Sequence, residues 1–251
     1  MTNTQYFFDV AWLLIASALV FFMQAGFLAL ETGLTRNKNS INVAIKNIID
    51  FGIAIILFWL FGFAFMFGES HFGLIGTSDF SPEFLANNSW RTAFFIFQAM
   101  FVATAATIIS GAVAERLNFR SYILITLLMS GVVYPIFGHW AWAGSLNNGA
   151  GWLAELGFVD FAGATVVHSL GGWAALAICI IIGPRLGRFQ NGKSVKIHGH
   201  NLPIALLGVI FLSFGWIGFN GGSVFYFNQN VPLVISNTIL AGCSGMIAAL
   251  I

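Results

Sequence analysis

One stretch of the chain combines an acid and a histidine with otherwise uncharged residues. Asp160 opens it, His168 follows eight positions later, and no charged residue occurs from there to Gly183. A run of this length can cross a bilayer as a helix. If the helix continues from Asp160, His168 lies roughly 12 Å below it, near the middle of a membrane about 30 Å thick. Because an ionisable group is costly in lipid at that depth, we expect His168 to face protein or a water-filled path.

Aromatic rings and one hydroxyl group are spaced so that they could line such a path. Phe97 and Phe101 are four residues apart, as are Phe219 and Ser223, so each pair shares one helix face. The indole face of Trp142 can hold a cation, and the Ser223 hydroxyl can accept a hydrogen bond from one. Lipid contact, an aromatic belt at the membrane surface and a hydroxyl bonded to its own helix are alternatives that spacing leaves open.

The composition indicates an integral membrane protein. Of 251 residues, 58% are hydrophobic and 8% are charged, whereas soluble domains carry about 25% charged residues. The net charge of +1 gives no indication of a nucleic-acid partner. Cys179 and Cys243 lie in apolar runs and are interpreted as small hydrophobic residues. The sequence shows no hydrolytic triad, phosphate-binding glycine loop or metal cluster, so we expect neither an enzyme nor a metal site nor a cofactor.

The apolar windows predict an all-α, polytopic transmembrane helix bundle. About seven spans are expected, near 9–31, 43–67, 92–114, 121–142, 161–183, 202–226 and 231–251. Lysine and arginine concentrate in three of the connections, which the positive-inside rule makes cytoplasmic, with the N-terminus outside. The opposite loops, 68–90 and 143–160, are acidic. The chain stops at Ile251 inside an apolar span, and we expect the native chain to continue.

The ends of two spans contain further residues with expected places. Gly26 and Gly33 lie on nearly the same helix face and suit a packed contact with another helix. Glu31, followed by Arg36 and Lys38, is expected to anchor span 1 at the inner membrane boundary, and His139 is expected beside Trp142 at the outer interface.

The longest basic segment is the inner loop 184–201, which contains Arg185, Arg188, Lys193 and Lys196. Basic residues next to a transmembrane helix attract anionic lipid headgroups. A second interpretation is that this loop docks a soluble regulator. The sequence leaves both open.

Several motifs in a fixed order make the chain resemble the Amt/Rhesus family of ammonium transporters over essentially all 251 residues. They are Gly26-Phe27 with Glu31-Thr32-Gly33, Phe97-Gln98 with Phe101 and Glu115-Arg116, His139 with Trp142, Asp160-Phe161-Ala162-Gly163 with His168, and Gly215-Trp216 with Gly218-Phe219-Asn220 and Gly222-Ser223. The resemblance implies a homotrimer in the inner cell membrane, with one pore in each subunit. It also implies eleven helices per subunit, arranged as an inverted repeat, of which about seven fall within residues 1–251.

The same resemblance implies roles for individual residues. Trp142, Phe101 and Ser223 would recruit ammonium at the outer surface, and Phe101 and Phe219 would form a gate of two phenyl rings. His168 would be the first of two pore histidines, the second lying beyond Ile251. Asp160 would be a structural or electrostatic acid near the recruitment site.

The expected activity is transport of ammonium, which binds outside, gives up its proton and passes His168 as ammonia. Methylammonium is a further candidate substrate, and the expected partners are membrane lipid and a cytoplasmic regulatory or signalling protein. The alternative is an ammonium sensor in which this membrane region is coupled to a cytoplasmic signalling domain. A seven-helix retinal receptor is excluded, because span 7 contains no lysine to form a Schiff base.

Overall fold

The computed structural model describes residues 3–80, 88–146 and 149–251. Seven helices in these ranges are long and apolar enough to cross a membrane, which confirms the predicted bundle. They are α1 (Asn3–Leu34), α2 (Asn37–Phe67), α3 (Ser89–Val113), α4 (Phe119–Leu146), α5 (Ala164–Ile182), α6 (Leu202–Gly222) and α7 (Asn230–Ala248). Two short antiparallel hairpins join Ser70–His71 to Ile75–Gly76 and Phe189–Gln190 to Lys193–Ser194.

Some helices begin at other residues than predicted: α1 and α2 begin earlier, and α5 begins later. Helices α1 and α2 each begin six residues before the predicted start, because apolar windows miss polar first turns. The assumption of a continuous helix from Asp160 was wrong, since α5 begins at Ala164. His168 therefore lies four residues into α5, in its first turns, rather than eight residues into a regular helix.

We call the end of the bundle that carries residues 68–80, 143–146 and 149–163 the outer end, and the end that carries residues 35–36, 114–118 and 183–201 the inner end. The names follow the orientation predicted by the positive-inside rule. At the outer end Asp79 forms an ion pair with Arg91, so this acid is neutralised within the fold. Glu83, another acid predicted there, lies outside the described residues.

Helices α1 and α6 pack together through glycines. A Cβ atom on Gly208 would lie 2.5 Å from the backbone nitrogen of Leu30 and 2.6 Å from the carbonyl oxygen of Gly26. A Cβ atom on Gly26 would in turn lie 2.9 Å from the backbone nitrogen of Leu212. Real Cβ atoms do not approach backbone so closely, so the helices meet at a distance that only glycine permits. This contact confirms the packing role predicted for Gly26.

Helix α3 lies at the centre of the bundle, with most of its residues buried. It shares buried polar contacts with α1 and α2: Ser110 donates a hydrogen bond to the Glu31 carboxylate at 2.8 Å, and Asn47 donates another at 2.9 Å. Glu31 was expected to anchor α1 at the inner membrane surface. It is instead almost fully buried, because α3 supplies a partner for its carboxylate. This network holds α3 against the helices that surround it.

Three of the helices contain π-helical turns, at Phe58–Gly62 in α2, Met129–Val133 in α4 and Ala164–Ser169 in α5. Such wide turns inside α-helices occur frequently at functional sites. The turn in α5 is the one that contains His168. It changes the direction in which this side chain leaves the helix relative to a regular α-helix.

Candidate functional site

A cavity of about 280 Å³ opens at the outer end between α3, α4, the start of α5 and the end of α6. Its lining consists of Gln98, Phe101, Trp142, Ser145, Val159, Asp160, Phe161, Ser223 and Phe225. Four of the predicted site residues, Phe101, Trp142, Asp160 and Ser223, are thus brought together. They come from four separate segments of the chain, and only the packing of the bundle makes them neighbours.

Asp160 caps the N-terminus of α5. Its two carboxylate oxygens accept hydrogen bonds from the backbone N–H groups of Gly163 (2.8 Å), Ala164 (3.1 Å), Thr165 (2.9 Å) and Val166 (2.8 Å). These donors have no partner within the helix, and a negative charge at a helix N-terminus is favourable. Gly163 has φ +96°, a conformation that a side chain at this tight turn would strain. Asp160 therefore fixes the start of the helix that carries His168.

Trp142 is oriented by the same segment. Its indole N–H donates a hydrogen bond to the backbone carbonyl oxygen of Asp160 at 2.7 Å. Because this donor is occupied, Trp142 can meet a ligand in the cavity only through its ring. The ring centroid lies 6.2 Å from that of Phe101, with the planes inclined at 56°. Two aromatic faces at this separation can both attract a small cation.

Below the cavity, Phe101 and Phe219 stack face to face. Their ring centroids are 4.1 Å apart and their planes differ by 6°. Both rings are almost completely buried. Phe97, which shares a helix face with Phe101, lies 4.6 Å away at 51°, so it is a tilted neighbour rather than a stacking partner. The parallel pair is therefore formed across two helices, α3 and α6.

The Ser223 hydroxyl lies in the cavity wall and donates a hydrogen bond to the carbonyl oxygen of Phe219 at 2.8 Å. The bond to its own helix, which the sequence left as an alternative, is thus present. It uses only the proton of the hydroxyl, so the oxygen lone pairs can still accept a hydrogen bond. Ser223 can therefore bond to its own helix and accept a hydrogen bond from a bound cation at the same time.

His168 packs against Phe219 and is not part of the cavity lining. Its ring stacks on Trp216, with centroids 5.3 Å apart and planes 20° apart, and lies 5.4 Å from the ring of Phe219. Its Nε2 atom is buried and has no hydrogen-bond partner among the described residues. Such an unpaired nitrogen is rare in protein interiors and is available to a ligand.

Three further residues belong to this site, and sequence reasoning assigned none of them a role. Gln98 lines the cavity, is 1% exposed, and its Oε1 has no partner in the described part of the chain. Phe225 lines the cavity at φ +64°, unusual for a bulky residue. Trp216 stacks on His168. The signal for Gln98 was available, because a polar residue between Phe97 and Phe101 in an apolar helix requires a reason.

His139 was predicted beside Trp142 at the outer interface, but it is not part of the cavity lining. It is fully buried, with its two ring nitrogens bonded to Ser70 Oγ at 2.9 Å and to the Met66 carbonyl oxygen at 2.9 Å. These contacts tie α4 to the end of α2. His139 therefore holds the outer end together rather than facing the cavity.

A second cavity of about 300 Å³ lies toward the inner end, between α1 and α3. Its lining includes Phe27, Glu31, Ile108, Gly111 and Arg185. This cavity and the outer cavity thus lie toward opposite ends of the bundle.

The seven apolar helices and the buried polar groups between them define a multi-pass membrane protein. The family model of the Ammonium Transporter Family matches residues 11–251. The chain therefore belongs to the ammonium transporter family.

Comparison with individual proteins gives the same result. The chain is 55% identical over 247 residues to a putative ammonium transporter of Synechocystis sp., a match that covers 96% of this chain and 46% of that protein. It is 43% identical over 251 residues to the ammonium transporter Amt2 of Archaeoglobus fulgidus, covering 96% of this chain and 53% of the relative. A solved structure described as a sensor Amt protein superposes with a TM-score of 0.96 at 47% identity, covering 100% of this chain and 63% of that one. The chain spans about half the length of the curated relatives it matches.

Proposed function

We propose that this protein conducts ammonium as ammonia across a cell membrane. The observation that carries the proposal is the outer cavity, whose lining brings together the Trp142 ring, the Ser223 hydroxyl and Phe101, which is one ring of the Phe101–Phe219 stack. Ammonium binds there, transfers one proton to water on the outer side, and continues past Phe219 to His168 as the neutral amine. The inner cell membrane, an outside N-terminus, a homotrimer and the absence of a cofactor are parts of the same proposal.

The chemistry of the cavity lining supports selection of ammonium over a metal cation of the same charge. Trp142 and Phe101 attract any small cation through their rings. Ser223 Oγ and Gln98 Oε1 are hydrogen-bond acceptors, and ammonium, unlike potassium, donates hydrogen bonds. A potassium ion can contact the same oxygens only through its charge, without the directional N–H bonds that ammonium adds.

The layer beneath the cavity supports passage of the neutral form. Phe101 and Phe219 offer no group that replaces the hydration of an ion, and a bare charge in an apolar channel is costly. His168 follows as a polar group with an unpaired nitrogen, which suits ammonia as a hydrogen-bond partner. Methylammonium, which also loses a proton to become neutral, is a second candidate substrate.

A test uses the complete native protein reconstituted in proteoliposomes, with transport currents and internal pH recorded after ammonium pulses. Ser223→Ala removes one acceptor for a cationic donor, so we expect the half-saturating ammonium concentration to rise about tenfold. Ser213→Ala is the matched control, because Ser213 also bonds to its own helix (Val209 carbonyl oxygen, 2.8 Å) but does not line the outer cavity. Equal responses of the two variants would contradict the recruitment site.

The layer beneath the cavity is tested in the same assay. His168→Ala removes the titratable side chain that stacks on Trp216, and we expect ammonium flux or its associated current to change. If flux and current both stayed at the level of the unmodified protein, the proposed role of His168 would be lost.

The second candidate function is an ammonium sensor with a cytoplasmic signalling partner. It is favoured by the likeness to the sensor Amt protein, which covers the whole of this chain. Calorimetric titration with ammonium separates the two functions. A sensor binds ammonium in the outer cavity, and loses that binding in Ser223→Ala, while the proteoliposomes show no flux above that of empty vesicles.

A further inference from the structure

A third cavity, which we call the arginine cavity, lies at the inner end just beyond the last residue of α5. It has a volume of about 340 Å³ and is lined by Arg116, Pro184, Arg185, Arg188, Phe189 and Ile197. Three of these six residues carry a guanidinium group and none is acidic. Nothing in the proposed transport of ammonium requires a positively charged cavity here.

The backbone holds two of the three arginines in place. Arg116 donates a hydrogen bond from Nη1 to the Gly183 carbonyl oxygen at 3.2 Å, and Arg188 donates one from Nη1 to the Val195 carbonyl oxygen at 2.7 Å. The Nε atoms of Arg116 and Arg185 are buried and have no partner among the described residues. Because a guanidinium group cannot lose its charge, buried donors of this kind are stabilised by a ligand that accepts hydrogen bonds.

The positive charge of this region is only partly neutralised. Glu115 forms an ion pair with one arginine of the cavity, at 3.4 Å from Arg185 Nη1, and it is shared with Arg36 Nε at 2.8 Å. Burial alone would raise the pKa of Glu115, but hydrogen bonds from Arg36 and Asn39 hold it below its ordinary value, so this acid is ionised. The loop 184–201 contains no Asp or Glu. Among the described residues, ion pairs therefore reach Arg36 and Arg185 but neither Arg116 nor Arg188.

Both the charge and the position of the cavity indicate its ligand. Guanidinium groups bind phosphate through pairs of parallel N–H bonds. Phe189 and Ile197 give the cavity apolar walls. Nearby, Ile181 and Leu186 are each 83% exposed, as expected for apolar residues at the point where a helix emerges from the lipid. We propose that the arginine cavity binds a phosphate-bearing anion, with an anionic lipid headgroup favoured over free phosphate because of the apolar walls and exposed neighbours.

The test is calorimetric titration of the complete native protein, purified in an uncharged detergent and stripped of lipid. The probes are dihexanoyl phosphatidylglycerol, its phosphatidylcholine analogue and inorganic phosphate. We expect saturable binding of phosphatidylglycerol and at least tenfold weaker binding of phosphatidylcholine. If inorganic phosphate binds and displaces the lipid, the ligand of the arginine cavity is free phosphate. If inorganic phosphate does not bind, the ligand is the lipid headgroup. Absence of saturable binding by both anions would overturn the proposal.

Variants locate the binding. Arg188→Gln should weaken phosphatidylglycerol binding about tenfold or more, since a hydrogen bond to a charged group is lost together with the charge. Arg188→Lys keeps the charge but not the planar fork, and we expect a smaller loss of about threefold. The matched control is Arg120→Gln, an exposed arginine of the inner end that does not line the cavity, with an expected change below about twofold. If Arg120→Gln weakened binding as much as Arg188→Gln, the attraction would belong to the whole basic surface and the arginine cavity would be refuted.

Discussion

The cap on α5 gives a perturbation whose size can be worked out from the structure. Asp160→Ala removes the acceptor of four backbone N–H groups. The bond from Ala164 is exposed, so water replaces it at little cost, whereas the other three are partly buried. At about 1 kcal/mol for each partly buried N–H group, the free energy of unfolding should fall by about 3 kcal/mol.

This loss is measurable as a shift in melting temperature. For a chain of this size about 1 kcal/mol corresponds to roughly 2–4 °C, so tryptophan fluorescence in detergent should show melting about 6–12 °C lower. Asp160→Asn keeps one acceptor oxygen, and we expect about half the effect. The start of α5 would loosen, and with it the carbonyl oxygen that orients Trp142, so ammonium binding should also weaken.

The matched control is Glu155→Ala, which removes another acid from the outer end without touching a helix cap. Its side chain is exposed, and we expect a shift below about 2 °C. Unchanged melting of Asp160→Ala, or equal shifts for Asp160→Ala and Glu155→Ala, would refute the capping argument. In the second case the acid would act only through the charge of the outer surface.

Two further predictions concern packing and pH. Gly208→Ala places a Cβ atom 2.5 Å from the Leu30 backbone nitrogen, so α1 and α6 must separate, and the free energy of unfolding should fall by at least about 2 kcal/mol, measured as a lower melting temperature. An added Cβ atom at Gly172 has no other atom within 4 Å, so Gly172→Ala should leave stability unchanged or slightly raised. Equal melting of the two variants would contradict the close contact between α1 and α6. Glu115 has a pKa held below its ordinary 4.5, so its contribution to stability is present above about pH 4.5 and is lost as pH falls through the lowered value. Glu115→Gln should therefore flatten the fall in melting temperature below pH 4.5, and an unchanged pH profile would show that the Arg36–Glu115 pair does not stabilise the fold.

Some features of the site were predictable because they depend on spacing along one helix. Phe219 and Ser223 lie four residues apart and share a face of α6, and Ser223 bonds back to the Phe219 carbonyl oxygen. The identity of the partner across the bundle was not predictable in the same way. Phe97 was an equally good stacking partner for Phe101 by spacing, yet the parallel ring belongs to Phe219. The pairing of Phe101 with Phe219 was predicted from the resemblance to the family and not from periodicity.

Other features were misjudged because local sequence does not report solvation. Glu31 was expected at the membrane surface, but Asn47 and Ser110 from two other helices bury and satisfy it. His139 was expected near the outer surface beside Trp142, but Ser70 and Met66 enclose it. In both cases a polar residue could enter the interior only because distant segments supplied partners.

The sequence by itself determined the seven apolar helices, the membrane environment and the family, because hydrophobic length and motif order are properties of the chain alone. Only the tertiary structure decided which side chains share the outer cavity, that Asp160 caps α5 rather than begins it, and that an arginine cavity forms at the inner end. The physical reason is that a membrane helix is specified by its own backbone hydrogen bonds and apolar surface. A site, by contrast, is specified by contacts between helices that are far apart in the sequence.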